Sequence, residues 1–151
     1  MQVSARGDYA VRAALGLAAA YPATVSAQTL ADEQRLPRKF LEAILADLRR
    51  ADLVRGLRGV EGGYVLTRPP SDVKVGQVLR AVDGPLAGVR GMRPEDATYD
   101  GTAEHLQQLW VAVRAAVRSV LDEVSLADVV RGRMPAHVRR LTAAPDAWEP
   151  R

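Results

Sequence analysis

The chain has 151 residues, 48% hydrophobic and 26% charged, which fits one ordinary soluble domain with an apolar core. It contains no cysteine, which excludes disulfides, thiolate metal sites and thiol catalysis, and its two histidines have no metal-ligand spacing. The formal net charge is +3, and residues 1–80 carry 12 Lys and Arg against 8 Asp and Glu, whereas residues 81–151 carry 9 against 10. This distribution favours a polyanion-binding lobe in the N-terminal half.

The Ala-rich N-terminal stretch is interrupted by Arg6, Asp8 and Arg12, so an amphipathic helix is predicted there rather than a signal peptide. No apolar run approaches the roughly 18 residues that a membrane span requires. We therefore expect a cytoplasmic protein with no membrane partner.

The first 51 residues have the pattern of three helices. Apolar spacing predicts a first helix over 5–21, which Pro22 ends, and Ser26 is a candidate N-cap for a short second helix over 27–34. After a turn, a third helix is predicted from Pro37 to Ala51. Its apolar stripe consists of Phe40, Leu41, Ile44, Leu45 and Leu48. A short helix, a tight turn and an amphipathic helix with a polar outer face are typical of a helix-turn-helix.

The period then changes to that of a β-hairpin. Strands are predicted over 53–57 and 63–67, joined by the glycine-rich segment 58–62. A hairpin directly after a helix-turn-helix is a wing.

A fourth helix is predicted over 73–82, followed by a glycine-rich loop over 84–103 that is long for a compact domain. A long helix is then expected from Thr102 to Val124. Its apolar residues alternate at spacings of four and three, which is typical of a pairing seam, and they are Leu106, Trp110, Val113, Val117, Val120 and Val124. We expect this seam to form a homodimer interface.

Together these elements predict a mainly α fold with a small β-wing. A winged helix-turn-helix DNA-binding domain is assigned to residues 1–83 and a sensor-type loop to 84–103. Residues 104–131 are assigned to a dimerisation helix and 132–151 to a partly ordered tail.

The predicted DNA-binding residues lie at three places. The start of the third helix should approach base edges in the major groove, the N–H groups that open the second helix can hold a phosphate, and an arginine at the wing tip suits a narrow minor groove. The set is Ser26, Gln28, Thr29, Arg38, Lys39, Glu42, Ala43, Arg49, Arg58, Gly59, Gly62 and Gly63.

Three of these residues have ordinary alternatives. Glu42 is either a base-discriminating carboxylate or a solvated partner of Arg38 or Lys39. Ser26 is explained by capping alone, and Arg58 by a solvated turn.

The block 36–66 resembles the Rrf-two (Rrf2) family of bacterial winged-helix regulators. The features that match are Phe40-Leu41-Glu42, Ala51-Asp52-Leu53-Val54 and, most specifically, Arg58-Gly59-x-x-Gly62-Gly63-Tyr64. The similarity continues through 75–86, Leu109-Trp110 and 125–128. It implies a DNA-binding regulator in which the glutamate at position 42 takes part in sequence discrimination.

The resemblance also implies an iron–sulfur cluster in many members, held by three cysteines before the long helix. Counted back from Trp110, the ligand positions fall near Met92, Thr98 and Glu104, with a further one near Gln107. None is a cysteine or histidine, so we expect no cofactor and no metal site. The loop is then either vestigial, or it binds an anionic small molecule through Arg90 and Arg93, or it contacts the neighbouring subunit; regulation by a partner protein also stays open.

Catalysis is not expected, because the chain has no phosphate-binding glycine motif and no catalytic constellation of recognised spacing. The prediction is a sequence-specific transcriptional repressor. It should bind double-stranded DNA as a homodimer on a pseudo-palindromic operator. The alternative is a winged-helix module that binds proteins or acts under a partner's control. Arginines on the third helix favour DNA.

Overall fold

The computed structural model describes residues 2–150 and is mainly helical, with one two-stranded antiparallel sheet. Helices α1 to α3 span Ala5–Ala20, Ala27–Gln34 and Arg38–Arg50, and strands β1 and β2 span Val54–Leu57 and Gly63–Leu66. Helices α4 to α7 span Val75–Asp83, Leu106–Leu121, Leu126–Arg131 and Ala136–Thr142. No helix within residues 2–150 is both long and apolar enough to cross a membrane.

Helix α1 is central to the core and packs against α2, α3, α4 and α6. Its inward face is made of small residues around Leu17, and Gly16 lies so close to Leu30 that an added Cβ would meet the leucine at 2.4 Å. The helix ends at Ala20, before the cis Tyr21–Pro22 bond. Ser26 caps α2 as predicted, since its hydroxyl accepts from the Thr29 N–H.

Helix α3 buries Leu41, Ile44, Leu45 and Leu48, but the prediction that Phe40 belongs to this stripe is wrong. Phe40 is 60% exposed because it lies at the edge of the stripe, where its ring meets the Tyr9 ring of α1 edge to face at 6.5 Å. The helix is also slightly shorter than predicted. Pro37 is the extended N-cap residue, and Ala51 lies outside the last turn.

The wing matches its prediction to within one residue at each strand end. Val54 pairs with Leu66 and Leu57 with Gly63. Val54, Val65 and Leu66 are buried, so the base of the hairpin belongs to the core while its tip extends into solvent.

Helix α4 begins two residues later than predicted, because the preceding residues are extended and pair with a distant segment. Lys74 bridges Ser125, and the Val73 carbonyl accepts from the Leu126 N–H at 2.9 Å. The segment 84–103 forms no longer element than the short 3-10 turns Pro94–Asp96 and Gly101–Ala103, as the loop prediction required.

The predicted helix from Thr102 to Val124 is too long. Helix α5 covers Leu106–Leu121 only, and Val124 is not part of a seam: it is buried in the core, where its carbonyl accepts from the Val75 N–H at 3.0 Å. The segment 104–131 is therefore not one helix. Its second half, α6, buries Leu126 and packs on α1.

The prediction for the last segment also missed a helix. Helix α7 spans Ala136–Thr142, and the half-buried Met134 and Val138 pack against the core. Beyond it, the Trp148 indole N–H donates to the Thr142 carbonyl at 2.7 Å.

Candidate nucleic-acid interface

A solvent-facing concavity of about 630 Å³ lies between the start of α2, the outer face of α3 and the wing. Eight of the twelve residues predicted to bind DNA line it. They are Ser26, Arg38, Glu42, Arg49, Arg58, Gly59, Gly62 and Gly63. Three arginines face one glutamate there, so the lining carries the positive excess that phosphate groups attract. We call this concavity the reading surface.

The start of α2 is joined to α3 by a chain of exposed hydrogen bonds. Arg38 donates from Nη1 to Gln28 Oε1 at 2.7 Å and from Nε to Glu42 Oε1 at 3.0 Å. Gln28 in turn donates to Asp32 Oδ1 at 2.9 Å. The pairing of Glu42 with Arg38 is thus present in the free chain, and it fixes the orientation of both side chains on the reading surface.

The wing is held against the start of α2 by backbone contacts that the sequence did not indicate. Val25 and Tyr64 exchange two hydrogen bonds, of 2.9 and 2.8 Å, and the Thr24 hydroxyl donates to the Glu61 carbonyl at 2.8 Å. Gly63 has φ of +148°, and an added Cβ would lie 2.6 Å from the Val25 carbonyl oxygen. Glycine at this position therefore sets how closely the wing approaches α2.

The other four predicted residues lie near the reading surface without lining it. Gln28 and Thr29 support it, since Gln28 accepts from Arg38 and the Ser26 hydroxyl donates to the Thr29 hydroxyl at 2.9 Å. Lys39 and Ala43 are exposed on α3. Residues that line the surface without having been predicted include the half-exposed Leu57 and the ring of Tyr64.

Sequence reasoning missed a buried carboxylate behind the reading surface. Asp47 is 6% exposed and forms ion pairs with Arg6 of α1 and Arg50 of α3. The signal was present in the sequence, because an aspartate one residue before Leu48 lies beside the apolar stripe of α3. A buried carboxylate requires such partners, so this cluster joins α3 to α1.

The loop does not provide the donors of an iron–sulfur cluster. Met92 and Thr98 are exposed, Glu104 pairs with His105 at 3.2 Å, and Gln107 donates to the Glu95 carbonyl at 2.8 Å. Thiolates hold such clusters, and the sequence has none. Among residues 2–150, no group of three or more His, Asp or Glu side chains is placed to hold a metal. These residues therefore do not fit the group.

Three of the six predicted seam residues line an apolar groove, also of about 630 Å³, between α5, α4, the segment 84–89 and residues 2–4. Trp110, Val113 and Val117 lie on its α5 wall, together with Leu121, which the seam did not include. No residue of α5 is buried within the described chain, and the large apolar side chains of Leu109 and Val113 are exposed. Helix α5 thus presents apolar surface to solvent along its length.

Comparison with known proteins agrees with this architecture. A family model described as "Rrf2: Iron-dependent Transcriptional regulator" matches residues 3–132. The protein Rv1287 of Mycobacterium tuberculosis (strain H37Rv) is 47% identical over 142 residues, which cover 93% of this chain and 88% of the relative. The HTH-type transcriptional regulator CymR of Bacillus subtilis is 31% identical over 130 residues, covering 85% and 89%.

Two solved structures of similar proteins have the same fold. CymR (YrzC), the global cysteine regulator of B. subtilis, superposes with a TM-score of 0.75 at 29% identity, covering 87% of this chain and 98% of that one. T. potens IscR superposes with a TM-score of 0.71 at 33% identity, covering 87% and 88%.

Proposed function

This chain belongs to the Rrf2 family of DNA-binding transcriptional regulators, which are not enzymes, and we propose that it represses transcription as a homodimer on a pseudo-palindromic operator, without an iron–sulfur cluster. The observation that carries the proposal is the convergence of α2, α3 and the wing on one reading surface. Three separate elements supply Ser26, Arg38 and Arg58 to it. A regulator of this kind acts on the chromosome, which places it in the bacterial cytoplasm.

The roles within the reading surface follow from its chemistry. Arg38 and Glu42 lie at the start of α3, the end of a recognition helix that contacts base edges, and a carboxylate there selects cytosine by accepting from its amino group. Arg49 and the start of α2 contact phosphates. Arg58, beside Gly59 with its open surroundings and φ of +110°, enters the minor groove.

The dimer is proposed to form through α5. Its apolar side chains are exposed or half-buried, and two-fold pairing of the same helix would cover them and the groove beside them. Leu106, Trp110, Val113, Val117 and Val120 are the residues proposed for this contact.

The proposal is tested by capture of genomic DNA with the purified protein, followed by affinity measurements on the enriched sequence. We expect a palindromic motif, and we expect Arg58→Ala to weaken operator binding while the dimer stays intact. Arg140→Ala, on the exposed face of α7, is the matched control and should bind as wild type. Unchanged affinity of the Arg58 variant would reject the wing role, and enrichment of no sequence would reject the proposed function. A promoter–reporter fusion tests repression.

A further inference from the structure

A second charged concavity, of about 550 Å³, lies between α4, the 84–103 loop and α5. Its charged lining consists of Arg80, Arg93, Glu95, Arg114 and Arg118. It shares no lining residue with the reading surface. Four guanidinium groups on three elements therefore converge on a space that the DNA-reading role does not use.

Two of the arginines are held by one carboxylate at the end of α5. Arg80 donates to Asp122 Oδ1 at 2.6 Å, and Arg118 donates to Asp122 Oδ2 at 3.3 Å. Burial raises the pKa of Asp122, but the hydrogen bonds from Arg80 and Arg118 outweigh it and the pKa is lowered overall. Asp122 thus stays ionised and fixes two guanidinium groups at the wall of the concavity.

The other two arginines both stabilise the negative charge of Glu95, but only one of them is in contact with it. Arg114 forms an ion pair with it and is only 19% exposed. Backbone hydrogen bonding and Arg114 lower the pKa of Glu95, and the charge of Arg93 contributes to the same shift. Arg93 accepts a backbone hydrogen bond from the Asp96 N–H at 3.0 Å, but within the part of the chain that the structure describes its guanidinium group forms no hydrogen bond and no ion pair. Two carboxylates against four guanidinium groups leave an excess of two positive charges.

We propose that this concavity binds a small dianion whose oxyanion head is contacted by Arg93 and the neighbouring guanidinium groups. Its volume falls within the roughly 300–1,000 Å³ of small-molecule sites. Guanidinium groups match carboxylate and phosphate oxygens in bidentate geometry. A ligand with two negative charges neutralises the excess, whereas a monoanion leaves half of it.

The position of the concavity gives the ligand a route to the DNA-reading elements. Arg80 lies on α4, which packs against both α1 and α3, while Arg93 lies on the loop. A dianion bound between them connects the loop to the helix that supports α3. This regulatory consequence rests on the proposed function, whereas the binding itself does not.

The binding is tested by isothermal titration calorimetry of the full chain, without DNA, against glycerol 3-phosphate, succinate and acetate. We expect at least one of the two dianions to bind, and whichever binds identifies the head group as a phosphate monoester or a dicarboxylate; acetate should bind more weakly. Because a charge-assisted contact is lost, Arg93→Gln should weaken binding roughly tenfold. Arg90→Gln is the matched control, since Arg90 lies on the same loop but stacks on Tyr99 at 5.3 Å and does not line the concavity.

The proposal would be overturned if neither dianion binds at millimolar concentration. It would also be overturned if Arg93→Gln and Arg90→Gln lose affinity equally. Failure of the chain to bind DNA would reject the proposed function and leave the site intact. If DNA binding is found, operator affinity measured by fluorescence anisotropy should change when the binding dianion is added, and unchanged affinity would overturn the regulatory part.

Discussion

Glu42 is the acidic residue that lines the reading surface, and its charge is already compensated in the free chain by Arg38 at 3.0 Å. Near DNA, a carboxylate is repelled by phosphates unless it accepts from a cytosine amino group or an arginine. The Arg38 contact reduces that repulsion without using the second carboxylate oxygen. In the proposed complex, Glu42 is therefore expected to remain at the surface and to disfavour bases that offer no donor.

We predict that Glu42→Ala relaxes sequence preference more than it lowers overall affinity. Loss of a base-discriminating contact should reduce the preference at one position by about 1–3 kcal/mol, while non-specific binding stays equal or rises slightly because a negative charge is removed. Selection from a randomised duplex pool measures the preference, with Glu33→Ala, an exposed acidic change on α2, as control. An unaltered specificity profile would count against this role.

Asp47 acts from behind the surface. Its carboxylate is buried between α1 and α3, and it is paired with Arg6 and Arg50, which remain partly exposed. When the carboxylate is removed, the two guanidinium groups can be hydrated again. The loss in free energy of unfolding is therefore smaller than it would be for a fully buried ion pair.

We predict that Asp47→Ala lowers the free energy of unfolding by about 1–3 kcal/mol, because the buried acceptor for two arginines is lost. Urea denaturation measures this change. Arg50→Ala is the comparison, since its side chain is 75% exposed and its removal should cost much less. Equal losses for the two variants would show that the buried carboxylate is not the determining group.

At the scale of elements, α6 is a six-residue helix that depends on its cap. The Ser125 hydroxyl donates to Asp128 Oδ2 at 2.6 Å, the Ser125 N–H donates to the same oxygen at 2.8 Å, and the Asp128 N–H donates back to the hydroxyl at 3.1 Å. The Ser125 side chain, followed by its backbone N–H, lowers the pKa of Asp128 below its ordinary 3.8. The ionised carboxylate therefore stabilises the folded chain.

We predict that Asp128→Ala lowers the free energy of unfolding by about 1 kcal/mol at neutral pH, the usual cost of losing a cap. Because the folded pKa is depressed, the contribution is present above pH 3.8 and is lost as the pH falls through the folded value. The difference between wild type and variant should shrink in acid. Urea titrations at several pH values test this, and a difference independent of pH would contradict it.

Local signals predicted some elements closely. The bounds of α2 follow from the Ser26 cap and the turn at Arg35. The wing follows from two strand-like segments joined by the glycine-rich segment 58–62. The start of α4 was misplaced because Lys74 pairs with Ser125, 51 positions along the chain, and no local pattern reveals that bridge. Val124 fitted the α5 seam by spacing, but the same bridge draws it into the core.

The candidate site shows the same division. Residues of α3 and the wing were predicted from helix and hairpin patterns, and eight of the twelve meet at one surface. Of the arginines that line the second concavity, the sequence indicated only Arg93 as a candidate for binding an anion. Arg80, Arg114 and Arg118 come from helices whose relative placement depends on tertiary packing.

At the scale of the whole molecule, the apolar surface of α5 is the feature that favours association with a second copy of the chain. The groove beside it is walled by Val113 and Val117 on one side and by Leu79 and Leu86 on the other. Residues 2–4 also line the groove, which stays open to solvent, and solvent-exposed apolar grooves of this kind favour association. A two-fold contact there would also set two reading surfaces on one face of DNA.

We predict that Val117→Asp produces monomers, because a carboxylate desolvated in this contact has no partner. Since α5 contributes no buried residue, the variant should keep its helical circular dichroism. Ala115→Asp, an exposed change on the opposite side of α5, is the control and should stay dimeric. Sedimentation velocity distinguishes the two states, and a stable dimer of the Val117 variant would exclude this face. A monomer should also lose most of its affinity for the full operator, because the second reading surface no longer contributes. Its affinity for a single half-site should equal that of one wild-type subunit.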